Sequence, residues 1–154
     1  MTYSITRKQL SPQPTLAVRR RVKRSDIAKA LAEAFGVVFA HAQRTHAALV
    51  GQPFARYLEW GPGLVTIEAG LPVAVPVPGQ GEVVAGTLPG GPVAAATHTG
   101  PYEQLAGAHG AVQIWIEENG LRPAGAPWEV YVTDPAEHPN PKDWQTDIFW
   151  PLAS

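Results

Sequence analysis

A short segment near the C-terminus, Gly125-Ala126-Pro127-Trp128-Glu129-Val130-Tyr131, has a counterpart 74 positions earlier, in Gly51-Gln52-Pro53-Phe54-Ala55-Arg56-Tyr57. At the same offset Leu31 matches Leu105 and Ala34 matches Ala108, so the helix-like segment ahead of each copy is repeated too. Self-similarity over this distance predicts one domain, residues 1–154, built from two related halves at about 1–78 and 79–154. The copies differ where Glu129 stands against Ala55, so only one half has the carboxylate.

The bulk composition excludes several classes of protein. The chain has 154 residues, a length typical of one domain, and no cysteine, which excludes disulfides and cysteine nucleophiles and fits a reducing cytoplasm. Its 12 basic and 13 acidic residues nearly cancel, so no overall field attracts nucleic acid or an anionic membrane. Neither a signal peptide nor an apolar run of about 18 residues is present. We therefore expect a cytoplasmic protein without a membrane partner or direct nucleic-acid contact.

The pattern of apolar residues predicts an α+β fold. Apolar residues at helical spacing predict one helix at about residues 25–45 and a second that begins at Gly100-Pro101-Tyr102-Glu103 and stops at Gly120. The predicted buried stripe of the second helix is Leu105, Ala108, Val112 and Ile116. Extended segments are predicted at residues 4–10, 15–22, 54–60, 64–69, 73–77, 83–88, 93–99, 128–133 and 146–152. The first two are expected to pair as a hairpin, as are 83–88 and 93–99. One helix per half can cover only one face of an antiparallel sheet.

The strand that contains Glu129 concentrates the chemistry. Side chains alternate along a strand, so Trp128 and Val130 are predicted to face the helices, and Glu129 and Tyr131 the opposite side. Tyr57 occupies the place of Tyr131 in the first copy. A carboxylate among aromatic rings is a strong partner for an organic cation. The alternative is that Glu129 lies on a solvated face of the sheet.

Other candidate sites are weaker. The five histidines have no acidic or histidine partner at ligand spacing, so we expect no metal, and no glycine-rich loop predicts a cofactor. The run from Arg19 to Arg24 fits an exposed strand edge better than an acidic partner. Trp115, Trp144 and Trp150 could each belong to the core or to a binding groove.

The order of these features resembles the GyrI-like family. The resemblance rests on the duplicated half, the Gly100-Pro101-Tyr102-Glu103 helix entry, the Pro127-Trp128-Glu129-Val130-Tyr131 strand and Thr146-Asp147-Ile148 before Pro151. Members are small-molecule effector-binding domains, found alone or in AraC-type and MerR-type multidrug-responsive regulators. The resemblance implies two strand–helix–strand units related by a pseudo-twofold axis, with a ligand groove between them and a ligand-binding glutamate at Glu129. Candidate ligand-binding residues are Tyr57, Trp60, Tyr102, Trp115, Glu129, Tyr131, Trp144 and Phe149.

Three functions follow from the resemblance. The first is a stand-alone sensor or sequestering protein for amphipathic, cationic aromatic molecules, because no helix-turn-helix pattern precedes the first predicted strand. The second is a cofactor-free hydrolase of electrophilic small molecules, in which Glu129 and Tyr131 would be the catalytic acid–base pair. The third is a protein-interaction role such as inhibition of gyrase, for which no local sequence feature gives support.

Overall fold

The computed structural model describes residues 3–153, which form eight strands and two α-helices. The strands are β1 (Thr6–Leu10), β2 (Gln13–Lys23), β3 (Phe54–Trp60), β4 (Leu64–Pro72), β5 (Val83–Leu88), β6 (Gly91–Thr99), β7 (Trp128–Tyr131) and β8 (Gln145–Pro151). The helices are α1 (Ile27–Thr45) and α2 (Leu105–Glu118), each preceded by a short 3-10 turn. The predicted α+β class with antiparallel strands is confirmed. None of the helices among these residues is both long and apolar enough to cross a membrane.

The chain divides into two compact units, of which one is Pro12–Pro89. Its four strands pair antiparallel in the order β3-β4-β2-β5. The buried stripe of α1, Ala34, Val38 and Ala42, recurs every four residues and packs against Leu16 and Val18 of β2. The helix ends where His46 takes a left-handed conformation, with φ of 56°.

The other unit consists of Met1–Ser11 and Gly90–Ser154. Its strands pair antiparallel in the order β1-β6-β8-β7. Leu105, Ala108, Val112 and Ile116 of α2 form a core with Ile148 of β8. These four helix residues are the buried stripe predicted from the sequence.

The two predicted hairpins are wrong. Strand β1 pairs with β6 rather than with β2, and β5 pairs with β2 rather than with β6. Only Ser11 and Pro12 separate β1 from β2, and neither has the positive φ that the favoured two-residue hairpin turns need at their first residue. Pro89 and Gly90 separate β5 from β6, and neither has a positive φ. At both joints the chain therefore passes from one unit into the other.

The units have corresponding strand orders, β5-β2-β4-β3 in one and β1-β6-β8-β7 in the other. Each helix connects the second strand of this order to the fourth. The units divide at residues 11/12 and 89/90, so they do not coincide with the sequence halves 1–78 and 79–154, whose duplication stays a prediction. The predicted strand at 73–77 is wrong, because only Val73 forms a bridge, with Leu49.

Candidate functional site

Glu129 faces α2, so the predicted orientation of β7 is wrong. Its cross-strand neighbour is Ile148, which belongs to the core beneath α2. Trp128 lies on the opposite face, where its ring stacks on Phe149 at 5.4 Å between centroids. Glu129 can face the helix because His109 of α2 and Tyr131 of β7 supply the hydrogen bonds that a buried carboxylate needs.

The Glu129 carboxylate is buried and hydrogen-bonded at both oxygens. Glu129 is only 3% exposed. The Tyr131 hydroxyl donates to Oε1 at 2.7 Å, and Nε2 of His109 on α2 lies 2.7 Å from Oε2. Short bonds to an ionised acceptor are stronger than neutral ones and offset much of the cost of burying the charge. The alternative of a solvated glutamate is therefore excluded.

His109 is held by a second bond, from β8. The indole Nε1 of Trp150 donates to Nδ1 of His109 at 2.9 Å. An indole N–H can only donate, so Nδ1 must carry the lone pair and the imidazole proton must be on Nε2. His109 is therefore the donor to Glu129, in a hydrogen-bonded chain of Trp150, His109, Glu129 and Tyr131.

Three aromatic rings extend from the end of this chain. The ring of Tyr102 meets Tyr131 edge-on at 5.7 Å and lies 4.7 Å from Trp144, tilted by 33°. All three rings are half-buried. Burial raises the pKa of the Tyr102 phenol, and the negative charges of Asp134 and Glu129 raise it further. Tyr102 thus remains a neutral ring and donor at physiological pH.

The helix entry Gly100-Pro101-Tyr102 is fixed by backbone contacts that position these rings. The Gly100 N–H donates to the Trp144 carbonyl at 2.8 Å, and Gly100 has φ of 138°, a conformation that favours glycine. Nε2 of His98 donates to the Pro101 carbonyl at 3.1 Å. The indole of Trp144 donates to the His138 carbonyl at 2.6 Å. The α-helix itself begins at Leu105, later than predicted, after a 3-10 turn at Tyr102–Gln104.

Of the other predicted ligand residues, Phe149 lies on the opposite face of the sheet from Glu129. Trp115 packs on the core beneath α2, as Tyr102 and Trp150 also do. A ligand-binding role of Tyr57, Trp60 and Trp115 stays a prediction. Tyr57 and Trp60 belong to the other unit, where their rings meet edge-on at 5.6 Å. Trp60 is 58% exposed, and the guanidinium of Arg24 lies 4.7 Å from its ring centroid. The predicted groove between the halves stays a prediction.

Two surface cavities are present whose linings do not include Glu129. One of about 80 Å³ is lined by β1, β6 and β8 on the face that Phe149 occupies. A more open one of about 340 Å³ surrounds Trp60. Neither contains a residue of the Trp150–Tyr131 chain, so hydrogen bonding and burial define the candidate site rather than these cavities. Within residues 3–153 no three His, Asp or Glu side chains are grouped closely enough to hold a metal ion.

His109 and the contact of Trp150 with it were not predicted from the sequence. At the offset of 74, His109 matches Phe35 and Glu129 matches Ala55, so both members of the polar pair replace apolar residues. That joint difference was readable in the sequence. Metal-ligand spacing does not reveal this pair, because His109 and Glu129 are 20 residues apart and meet only through the packing of α2 on β7.

The fold places the chain in the class of α+β domains with antiparallel strands. The chain belongs to the GyrI-like small molecule binding domain family, whose model matches residues 1–153. The resemblance noted in the sequence is thereby confirmed. A comparison with curated protein sequences gave no match.

Solved structures share the fold at low sequence identity. The C-terminal domain of EcmrR superposes with a TM-score of 0.88 at 20% identity, covering 100% of this chain and 99% of that one. EcmrR in a DNA complex gives 0.87 at 19% identity, covering 99% of this chain but only 58% of the longer EcmrR chain. SAV2435 bound to tetraphenylphosphonium gives 0.66 at 13% identity, with 100% and 95% covered. A hydrolase from Listeria innocua gives 0.63 at 14% identity, with 97% and 91% covered.

Proposed function

We propose that this domain binds amphipathic, cationic aromatic small molecules, as a sensor or sequestering protein that acts alone. The ligand stacks on the half-buried rings of Tyr102, Tyr131 and Trp144, and its positive charge is attracted by the Glu129 carboxylate. SAV2435, which shares the fold, binds a ligand of this chemistry, tetraphenylphosphonium. The proposal includes a cytoplasmic location and no direct contact of this chain with nucleic acid.

One observation carries the proposal, a buried carboxylate whose two described donors are both neutral. Tyr131 and His109 stabilise the negative charge of Glu129 without cancelling it. In surroundings of low dielectric constant such a charge acts over a longer distance than in water. The adjoining rings add cation–π attraction, worth about 0.5–2 kcal/mol for each favourable contact. An organic cation that carries aromatic rings gives up little hydration to satisfy both interactions.

The test is a titration of tetraphenylphosphonium followed by tryptophan fluorescence and by calorimetry. We expect Glu129→Gln, which keeps the shape but removes the charge, to weaken binding at least tenfold, or about 1.4 kcal/mol. The matched control is Glu68→Gln, because Glu68 is also a buried carboxylate but lies in the other unit, paired with Arg19 at 2.8 Å. Equal affinities of wild type and Glu129→Gln would contradict the proposal.

A hydrolase is the second candidate, favoured by the 2.7 Å bond between the Tyr131 hydroxyl and Glu129. In such an enzyme Glu129 would activate water and Tyr131 would move the proton, as in acid–base catalysis generally. His109 is unsuited to be the base, because Trp150 occupies its lone pair. Mass spectrometry of ligand recovered after incubation separates the two functions, since a sensor returns it unchanged and a hydrolase adds one water.

A further inference from the structure

The imidazole of His109 is hydrogen-bonded at both of its ring nitrogens. Its Nδ1 accepts from the Trp150 indole at 2.9 Å, and its Nε2 donates to Glu129 at 2.7 Å. The His109 side chain is 17% exposed, and its ring meets Trp150 edge-on at 5.9 Å. Both ring nitrogens are therefore assigned, and no second proton fits without breaking the bond to Trp150.

We propose that Trp150 is a specificity-determining residue, which keeps His109 neutral so that His109 orients Glu129 without cancelling its negative charge. This inference rests on the proposed function, a site for cationic ligands. A histidine beside a carboxylate is ordinarily drawn toward its charged form, because the opposite charge stabilises the imidazolium. The N–H of the Trp150 indole opposes protonation of His109, because an imidazolium would also carry a proton on Nδ1 and the two N–H groups would then point at each other.

The charges around His109 explain why a hydrogen-bond donor such as Trp150 is needed to keep the imidazole neutral. The titratable group that His109 contacts in the described hydrogen bonds is Glu129. Tyr131 contacts Glu129, Tyr102 contacts Tyr131, and the charge of Asp134 reaches Tyr102. Glu103 at the helix entry is exposed. The negative charge next to the imidazole is that of Glu129, and a negative charge favours an imidazolium. Among the described contacts of His109, the donor that opposes a second proton is Trp150.

The matching positions in the other unit indicate that His109, Glu129 and Trp150 act together. At the offset of 74, Phe35 and Ala55 stand for His109 and Glu129. Trp150 lies two residues after Ile148, the partner of Glu129, and Leu71 lies two residues after Ala69, the partner of Ala55. All three polar members are thus apolar in the other unit. This is the pattern expected if the histidine and tryptophan serve the glutamate.

The first experiment needs no ligand. Nitrogen-15 NMR of the wild-type imidazoles, with His109→Gln used for assignment, should show His109 protonated at Nε2 and unprotonated at Nδ1 at pH 7 and at pH 6. Trp150→Phe, which keeps a ring but lacks the donor, should show more imidazolium at pH 6 than wild type. An imidazolium or an Nδ1–H tautomer in wild type at pH 7 would overturn the proposal.

The second experiment measures selectivity for charge by calorimetry, with tetraphenylphosphonium and the uncharged triphenylphosphine oxide. From pH 8 to pH 6 the wild type should keep its preference for the cation, whereas Trp150→Phe should lose it about fourfold or more, as follows from an ordinary histidine becoming charged. The double variant Trp150→Phe/His109→Gln, which cannot become charged there, should regain pH independence.

Thermal melts at both pH values establish that each variant is folded. Identical pH profiles of wild type and Trp150→Phe would overturn the proposal. Failure of wild type to bind tetraphenylphosphonium would instead contradict the proposed function, and the NMR spectrum would then decide by itself whether Trp150 keeps His109 neutral.

Discussion

Single residues of the site are tuned by neighbours distant in the sequence, and Tyr102 is the clearest case. Burial and two acidic neighbours raise its pKa, so the folded protein keeps the phenol proton at a pH where the unfolded chain has lost it. Tyr102 therefore contributes stability that is fully present below about pH 10 and is lost as the pH rises through the folded-state pKa.

We predict that Tyr102→Phe flattens this alkaline decline. Between about pH 9.5 and pH 11, the free energy of unfolding measured in urea should fall more steeply in wild type than in the variant, because phenylalanine has no proton to lose. The difference between the two free energies of unfolding at neutral pH gives the pH-independent effect of removing the hydroxyl, which is subtracted from the alkaline data. Parallel curves for the two proteins across the alkaline range would contradict the prediction.

At the scale of elements, α2 contains glycines that packing does not require. Gly107 and Gly110 lie inside α2, and a methyl group built at either position meets nothing within 4 Å. Gly120, just after the helix, has φ of 67°, which strains any residue with a side chain. The two kinds of glycine therefore have opposite roles, one being a local weakness of α2 and the other part of its termination.

We predict that Gly107→Ala raises the free energy of unfolding by up to about 1 kcal/mol, because alanine loses less backbone entropy in a helix. Gly120→Ala is the matched control, made with the same added methyl group, and should lower stability by about 1 kcal/mol. Chemical denaturation of the three proteins provides the measurement. A loss of stability in Gly107→Ala would show that an unrecognised contact needs the glycine.

At the scale of the whole molecule, two units of the same strand order differ in polarity at a matching pair of positions. One has the hydrogen-bonded pair His109 and Glu129, and the other has Phe35 and Ala55 there. Ala55 is fully buried. A buried carboxylate without donors costs about 2 kcal/mol or more, so the donor and the acid should depend on each other.

We predict that Ala55→Glu lowers the free energy of unfolding by at least about 2 kcal/mol and that adding Phe35→His returns part of the loss. Denaturation of the wild type, both single variants and the double variant forms a double-mutant cycle. A coupling energy of about 0.5–3 kcal/mol in favour of the pair is expected for residues in contact. Strictly additive effects would mean that position 35 does not supply the donor that a glutamate at position 55 needs.

The sequence by itself determined the α+β class, the buried stripe of α2 and the family, because these depend on local periodicity and on the order of features along the chain, and it predicted the site at Glu129. It predicted the hairpins wrongly, since the short joints at Ser11-Pro12 and Pro89-Gly90 look like turns and only strand pairing shows that they are crossings.

Only the tertiary structure decided which way Glu129 faces and which residues surround it. Alternation along β7 defines two faces but cannot tell which one meets α2, and hydrophobicity favoured the wrong one. His109, Glu129 and Trp150 come from a helix and two strands, and their hydrogen bonds exist only once α2 is packed on the sheet. Sequence spacing does not encode that packing, because it depends on the contacts of the whole core.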